Sequence, residues 1–255
     1  MLAHERREKI LEILNRQQTF RISEHISQFN VTTETLRRDL EELESQNLLT
    51  RIHGGAIKVD KYPVNELNFK TRSEINLKAK KEIAKTAMQF VHEHDYIAMD
   101  VSTTNTEIAK ELVNHFDSLT IITNSIEIIS ILSVKPNFTI IIPGGILRNK
   151  ELAIIGESAE NEVSQYNIRL FLMSISGISL TASLTDYGIG EVKMKKKFLE
   201  NSKEVILVAD HSKFEAIAFQ KVCDFNQIEC IVTDSGLDAE VLKVYEANDI
   251  KIVTQ

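Results

Sequence analysis

The sequence predicts an α/β chain in two parts, a small three-helix unit followed by a mainly parallel, doubly wound sheet. Three observations carry this. Residues 6–43 hold three helical apolar patterns separated by short polar connections. From Lys78 onward, short apolar runs alternate with helical patterns, as in strands buried on both faces. Between the two lies a polar stretch with Pro63 and little periodicity, which reads as a linker. The boundaries expected are 1–58, 59–77 and 78–255.

In the first part, Ile10, Leu11 and Leu14 recur at helical spacing from Arg6, and Ile13 widens that face. Gln17-Gln18-Thr19-Phe20-Arg21 is a polar connection, and residues 22–29 place apolar side chains at i, i+4 and i+7, a short second helix. Asn30 and Val31 turn the chain. Thr32 is suited to N-cap a third helix that carries Leu36, Leu40 and Leu43 inward and Thr33, Thr35, Arg37 and Arg38 outward near its start. Leu48, Leu49, Arg51 and Ile52 then alternate loosely, as one strand of a hairpin, and Gly54-Gly55 permits a tight turn in which backbone amides and His53 approach phosphates.

Two helices joined in this way form a helix-turn-helix, whose second helix enters the DNA major groove by its N-terminal part. Threonine hydroxyls meet donors or acceptors on base edges, threonine methyls meet thymine, and arginine offers a fork to guanine or phosphate. The DNA-facing set expected is Ser23, Thr32, Thr33, Thr35, Arg37, Arg38, Arg51, His53, Gly54 and Gly55. A competing reading is a protein-interaction module, because residues 1–58 hold nine Lys and Arg against nine Asp and Glu. Glu41, Glu42 and Glu44 create that balance late on the third helix, past the groove-facing part, so positive charge is local.

The remaining 21 basic and 28 acidic residues place the whole net charge of -7 in the later part, which is ill suited to hold nucleic acid itself. With 255 residues and 43% hydrophobic content, the whole chain can bury a sizeable core in that larger part. No signal-peptide pattern or membrane-length apolar run is present. Cys223 and Cys230 are too few and too far apart for a zinc site and read as reduced, buried thiols. The expectation is a cytoplasmic protein with no metal or cofactor.

In the second part, Ile83, Ala84, Ala87, Met88 and Val91 make a helical face, and Ile108, Ala109 and Leu112 begin another. Strands are expected at 96–99, 119–122, 138–142, 170–175, 205–208, 228–232 and 250–253, with helices at 126–132, 158–163, 191–199 and 239–245. Ligands of such sheets bind beyond the carboxyl ends of the strands. There the chain offers Asp100-Val101-Ser102-Thr103-Thr104-Asn105, Thr123-Asn124-Ser125, Pro143-Gly144-Gly145, Ser174-Ile175-Ser176-Gly177, Asp210-His211-Ser212-Lys213 and Thr233-Asp234. Hydroxyls and amides opening a helix hold phosphate, and glycines let backbone amides approach an oxyanion. Taken singly, each piece is also an ordinary cap or turn.

Other chemistries fit less well. His92-Glu93-His94-Asp95 suggests a metal, but i and i+2 do not share a helix face, and a solvated helix end accounts for it. Asp210-His211-Ser212 contains the letters of a hydrolytic triad, yet sequence neighbours cannot align in relay and no Gly-x-Ser-x-Gly elbow appears. Gly188-Ile189-Gly190 is a weak fragment of a dinucleotide loop. Of Lys193 and Lys195 to Lys197, all but Lys195 read as an exposed helix face.

Arg6 with Ile10 and Leu14, then Thr32-x-x-Thr35-Leu36-Arg37-Arg38-Asp39-Leu40 and His53-Gly54-Gly55-Ala56, is similar to the N-terminal signature of the DeoR family of bacterial transcriptional regulators. Ser102-Thr103-Thr104, Thr123-Asn124-Ser125, Gly144-Gly145, Gly156, Leu184-Thr185-Asp186, Glu191 with Lys195, Asp210-x-Ser212-Lys213 and Thr233-Asp234 resemble that family's sensor domain. The resemblance covers essentially the full chain. It implies a winged helix-turn-helix followed by a Rossmann-like sensor resembling ribose-5-phosphate isomerase. It further implies a repressor or activator of a carbohydrate operon, with a repressor preferred, that binds double-stranded operator DNA as a homodimer or homotetramer and, as a repressor, is relieved by a phosphorylated sugar. By the same resemblance, Ser102, Thr103 and Thr104 hold phosphate, Asp100, Thr123, Asn124, Glu191, Lys195 and Lys213 line the sugar pocket, and Gly144 and Gly145 shape it. Ser176 stands where many members have Asp, and Ser183 where Gly often precedes Leu-Thr. The alternative is a sugar-phosphate isomerase using Asp100, Asp186 or Glu191 to move a proton; the missing acid at Ser176 argues against it.

Overall fold

The computed structural model describes residues 2–17, 19–45, 48–52, 54–58 and 69–254. The chain divides into two compact units, Met1–Lys61 and Tyr62–Gln255.

The first unit contains α1 (Ala3–Gln17), β1 (Thr19–Arg21), α2 (Ile22–Phe29), α3 (Thr33–Ser45), β2 (Leu49–Ile52) and β3 (Gly55–Lys58). Ile10, Leu14, Phe20, Phe29, Leu36, Leu40 and Leu43 meet in one core. Asn30 ends α2 in the left-handed region (φ 50°), its N–H donating to the Ile26 carbonyl, as Asn readily does after a helix. Thr32 caps α3, its Oγ1 accepting from the Thr35 amide at 3.2 Å. Residues expected as a polar connection instead form β1, which pairs antiparallel with β3 to give the order β1-β3-β2.

The second unit opens with α4 (Phe69–Glu74) inside the stretch read as linker, and α5 (Leu77–Ala87). It continues with β4 (Tyr96–Met99), α6 (Thr103–His115), β5 (Thr120–Thr123), α7 (Ile126–Leu132), β6 (Thr139–Ile141), β7 (Ile146–Arg148), β8 (Ala153–Ile155), α8 (Glu157–Val163) and β9 (Ile168–Ser174). The rest is β10 (Gly177–Ser179), β11 (Ser183–Asp186), α9 (Ile189–Glu200), β12 (Ser202–Val208), β13 (Gln220–Cys223), β14 (Cys230–Val232), α10 (Ala239–Glu246) and β15 (Ile252–Val253).

Seven strands form one sheet in the order β15-β14-β12-β9-β4-β5-β6, every pair parallel. Alternate residues feed opposite faces. Leu170, Leu172, Ile97 and Met99 pack with α5, α6 and α7, whereas Phe171, Met173 and Ala98 pack with α8, α9 and α10. The chain runs outward from β4 through β5 to β6, then returns to β9 on the other side of β4. This reversal makes the carboxyl ends of β4 and β9 a topological switch point, where such sheets open a crevice.

Two small antiparallel sheets lie outside the expected pattern: the β7–β8 hairpin, and β10-β11-β13. Past the helical turn Met88–Phe90, His92, Glu93 and His94 are exposed, as a solvated helix end requires, in a tight turn where His94 has φ 66° and buried Asp95 pairs with Arg169. Cys223 and Cys230 are free and buried.

Candidate functional site

On the first unit, the leading end of α3 presents Thr32 and Thr33 to solvent and Thr35 half-buried. Arg37 and Arg38 are 61% and 78% exposed and reach Glu34 only at 3.9 and 3.7 Å, contacts too long and solvated to hold them. Ser23 is exposed near the start of α2. Two other arginines are held by acids of the same unit. Arg6 is buried and forks onto Asp39, tying α1 to α3, and Arg51 binds Glu44 and Glu41, each at 2.6 Å. The Glu44 hydrogen bond, followed by the charges of both acids, raises the Arg51 pKa above its ordinary value. The equal charge count therefore conceals a division in which the acids late on α3 answer Arg51 while Arg37 and Arg38 remain available.

One wing expectation changes. Gly54 is exposed with φ +77°, as a turn requires. Gly55 is not at the open face of the turn: it is buried within the ladder, and a Cβ would come within 1.9 Å of the Phe20 carbonyl oxygen. It is glycine because β1 crosses there. His53 lies outside the described residues.

On the second unit, the switch point holds a buried charged network. Asp100 Oδ1 accepts from Asn105 Nδ2 at 2.6 Å and the Ser174 amide at 3.0 Å. Its other oxygen accepts from Ser174 Oγ at 2.8 Å and pairs with the Lys195 ammonium. Lys195, only 2% exposed, also donates to Ser174 and stands 3.3 Å from Asp186. Ser176 donates to Asp186 at 2.6 Å, and Ser183 has φ 61°, a conformation natural to glycine.

Beside this network α6 begins. Ser102 caps it by accepting from the Asn105 amide at 2.9 Å. Thr103 and Thr104 are buried in the first turn, and among the described residues no protein group bonds their hydroxyls. Thr123 and Asn124 do other work: Thr123 accepts from the Ser125 amide, while Asn124 binds the Val101 amide and the Ile154 carbonyl. Gly144 is exposed, but its amide is occupied by the Glu162 carboxylate at 2.8 Å rather than open to an oxyanion. At Gly145 a Cβ would meet the Ile155 carbonyl oxygen at 2.5 Å, so its role is hairpin packing.

Glu191 is buried at the start of α9, with Arg148 Nη1 2.7 Å from both carboxylate oxygens. At the end of β12, Asp210 accepts from Asn76 Nδ2 at 2.9 Å and from Ser212. Burial works to raise its pKa, but Lys213, Ser212, Lys80 and Asn76 together hold it below the usual carboxylate range. His211 turns away from Ser212 to bind Asp234 at 2.7 Å, which raises the histidine pKa and leaves no three-residue relay.

Lys80 was missed by the sequence reading. It is 4% exposed on α5, donates to the Arg72 and Ile75 carbonyls, and burial lowers its pKa to about 8 despite the opposing attraction of Asp210. The legible signal was its place on the apolar stripe shared by Ile83, Ala84 and Ala87, where a lysine has no packing reason to sit. Arg148 and Glu151 gave no such signal, because the hairpin that carries them was not foreseen. Among the described residues, no helix is long and apolar enough to cross a membrane.

Comparison with known proteins follows this division of the chain. The model of the DeoR-like helix-turn-helix domain matches residues 6–61, and that of the DeoR C terminal sensor domain matches residues 75–235. An uncharacterized HTH-type transcriptional regulator, YulB, of Bacillus subtilis (strain 168) is 37% identical over 252 residues, covering 99% of this chain and 96% of that protein. The glycerol-3-phosphate regulon repressor of Escherichia coli (strain K12) is 32% identical, covering 97% of each chain. Among solved structures, ribose 5 phosphate isomerase A from Neisseria gonorrhoeae aligns with 58% of this chain and 56% of its own, at 17% identity and a TM-score of 0.40. With both family models matching in tandem and relatives similar from end to end, the chain belongs to the DeoR family of transcriptional regulators.

Proposed function

We propose that this protein represses a carbohydrate-use operon and releases its operator on binding a phosphorylated sugar. The observation that carries the reading is the start of α6 at the switch point. There two buried threonines with unbonded hydroxyls and the first-turn amides adjoin the Asp100–Lys195–Asp186 network. A helix N-terminus binds phosphate, and charged groups alongside bind the hydroxyls of a sugar. Ser102, Thr103 and Thr104 take the phosphate, with Lys80 and Lys213 at the neighbouring Asp210 adding positive charge. Asp100, Glu191 and Lys195 take the sugar. Thr123, Asn124, Gly144 and Gly145 support the rim through the backbone contacts described above.

Residues 1–58 form the DNA-reading domain, 59–77 the connection and 78–255 the sensing and oligomerising domain. Ser23, Thr32, Thr33, Thr35, Arg37, Arg38 and Gly54 face operator DNA. A homodimer or homotetramer in the cytoplasm suits the task, since helix-turn-helix dimers meet half-sites about one DNA turn apart, roughly 34–36 Å. The effector is sensed, not turned over: both Glu191 oxygens accept from Arg148, and Asp100 is occupied by Lys195 and Ser174, leaving neither placed as a proton-transferring base.

The test is Thr103→Val, which removes a hydroxyl at nearly constant shape. Effector affinity measured by calorimetry falls by about 10- to 150-fold, the equivalent of a hydrogen bond to a charged group at ~1.5–3 kcal/mol, while operator affinity without effector is unchanged. A wild-type effector titration from this variant refutes the site.

A further inference from the structure

The β7–β8 hairpin is fastened in two directions by charged residues three positions apart. Arg148, the last residue of β7, sits on Glu191 with both oxygens at 2.7 Å. Glu151, at the tip and 3% exposed in its side chain, binds Arg72 of α4. The hairpin itself rests on the switch-point side of the sheet: the Ile154 amide donates to the Asn124 carbonyl at 2.8 Å, and the Ile126 amide to the Leu152 carbonyl at 3.0 Å.

α4 and the residues after it are likewise pinned to this rim. Phe69 packs with Val101 and Ala153, Lys80 donates to the Arg72 and Ile75 carbonyls, and Asn76 donates to Asp210. Segment 69–76 is thus held by the β4–α6 loop, the hairpin and the end of β12. In sequence, it is also the first described part of the chain after the DNA-reading unit.

We propose that this hairpin is a coupling latch, with Arg148 closing the effector site over Glu191 and Glu151 holding the segment that leads from the DNA-reading unit. The inference rests on the effector reading above. A sugar hydroxyl that takes up a Glu191 oxygen competes with Arg148. Displacing Arg148 shifts the hairpin tip, and Glu151 passes that shift to Arg72 and segment 69–76. Effector and operator are then linked because each favours a different state of the same latch, the condition any such coupling must meet. Glu151 and Arg72 touch neither ligand; they are positioning residues.

The experiment uses the full chain and four probes: glycerol 3-phosphate, ribose 5-phosphate, fructose 1-phosphate and fructose 6-phosphate. Calorimetry gives probe affinity, and fluorescence anisotropy gives operator affinity with and without probe. In the wild type, the active probe weakens operator binding by a factor of about 5 to 150. In Glu151→Gln and in Arg72→Gln the probe still binds, operator binding without probe persists, and the factor collapses toward one. Combining the two changes adds nothing further, as expected for residues acting through one contact. Arg148→Gln, at a partly exposed position, removes the competitor and binds the probe more tightly than wild type.

If Glu151→Gln and Arg72→Gln keep the wild-type factor, or Arg148→Gln binds the probe more weakly, the latch is overturned while the effector site stands. If no probe binds the wild type, the effector reading fails and the latch fails with it.

Discussion

Lys80 and Arg6 illustrate how single residues carry this molecule. Arg6 is a cation near the start of the DNA-reading unit, yet it is buried against Asp39, so removing either partner strips a buried charge of its bidentate counter-ion. Lys80 looks like one of several surface lysines in Lys78-Ala79-Lys80-Lys81, yet burial lowers its pKa to about 8. The sign of its linkage follows. Between about pH 8 and its ordinary value of 10.5, the unfolded chain binds more protons at this position, so stability rises with pH across that window. A phosphate bound near Lys80 raises its pKa again. Calorimetry near pH 8 in buffers of differing ionisation enthalpy therefore shows proton uptake on effector binding, and Lys80→Met abolishes it. Buffer-independent heats in the wild type are inconsistent with Lys80 facing the phosphate.

At the scale of elements, legibility followed length and locality. The eight-residue α2, the seven-residue α7 and the thirteen-residue α3 advertise themselves by periodicity and by caps at Asn30, Thr32 and Ser125. The parallel strands do so as unbroken apolar runs. The pieces that escaped, β1, β7, β8 and β10, have three residues each, too few to display a period of two. β11 meets β13 through distant pairs such as Leu184 with Cys223, which no local pattern records. Gly55 and Gly145 were readable as glycines, but not as the sites where another backbone passes close. On α3 the exposed pair Arg37 and Arg38 supplies the available charge. Changing both to Ala weakens operator binding and lowers the salt slope of the association constant by about two units, one per lost phosphate contact. Circular dichroism and effector affinity stay as in wild type. An unchanged slope removes these arginines from the DNA interface.

Across the whole molecule, the division of charge and the division of labour coincide. The N-terminal segment is formally neutral, with Arg37 and Arg38 exposed near the leading end of α3, while the later part carries the entire net charge of -7 and a core split between the two faces of a parallel sheet. That sheet brings together ends of β4, β9 and β12 that are far apart in sequence, which is why the sequence pointed to Asp100, Ser174, Lys195 and Asp210 in separate motifs but not to Asn76 and Lys80, which face Asp210. The coupling of sensing to reading is tested by capture of sheared genomic DNA by the full chain at near-physiological salt, repeated with each sugar phosphate and with each parent sugar. A coupled regulator retains a few enriched sites beside carbohydrate genes, released by one phosphorylated sugar and by none of the unphosphorylated ones. Sites held equally in every condition, together with turnover of a sugar phosphate by the same protein, contradict that coupling.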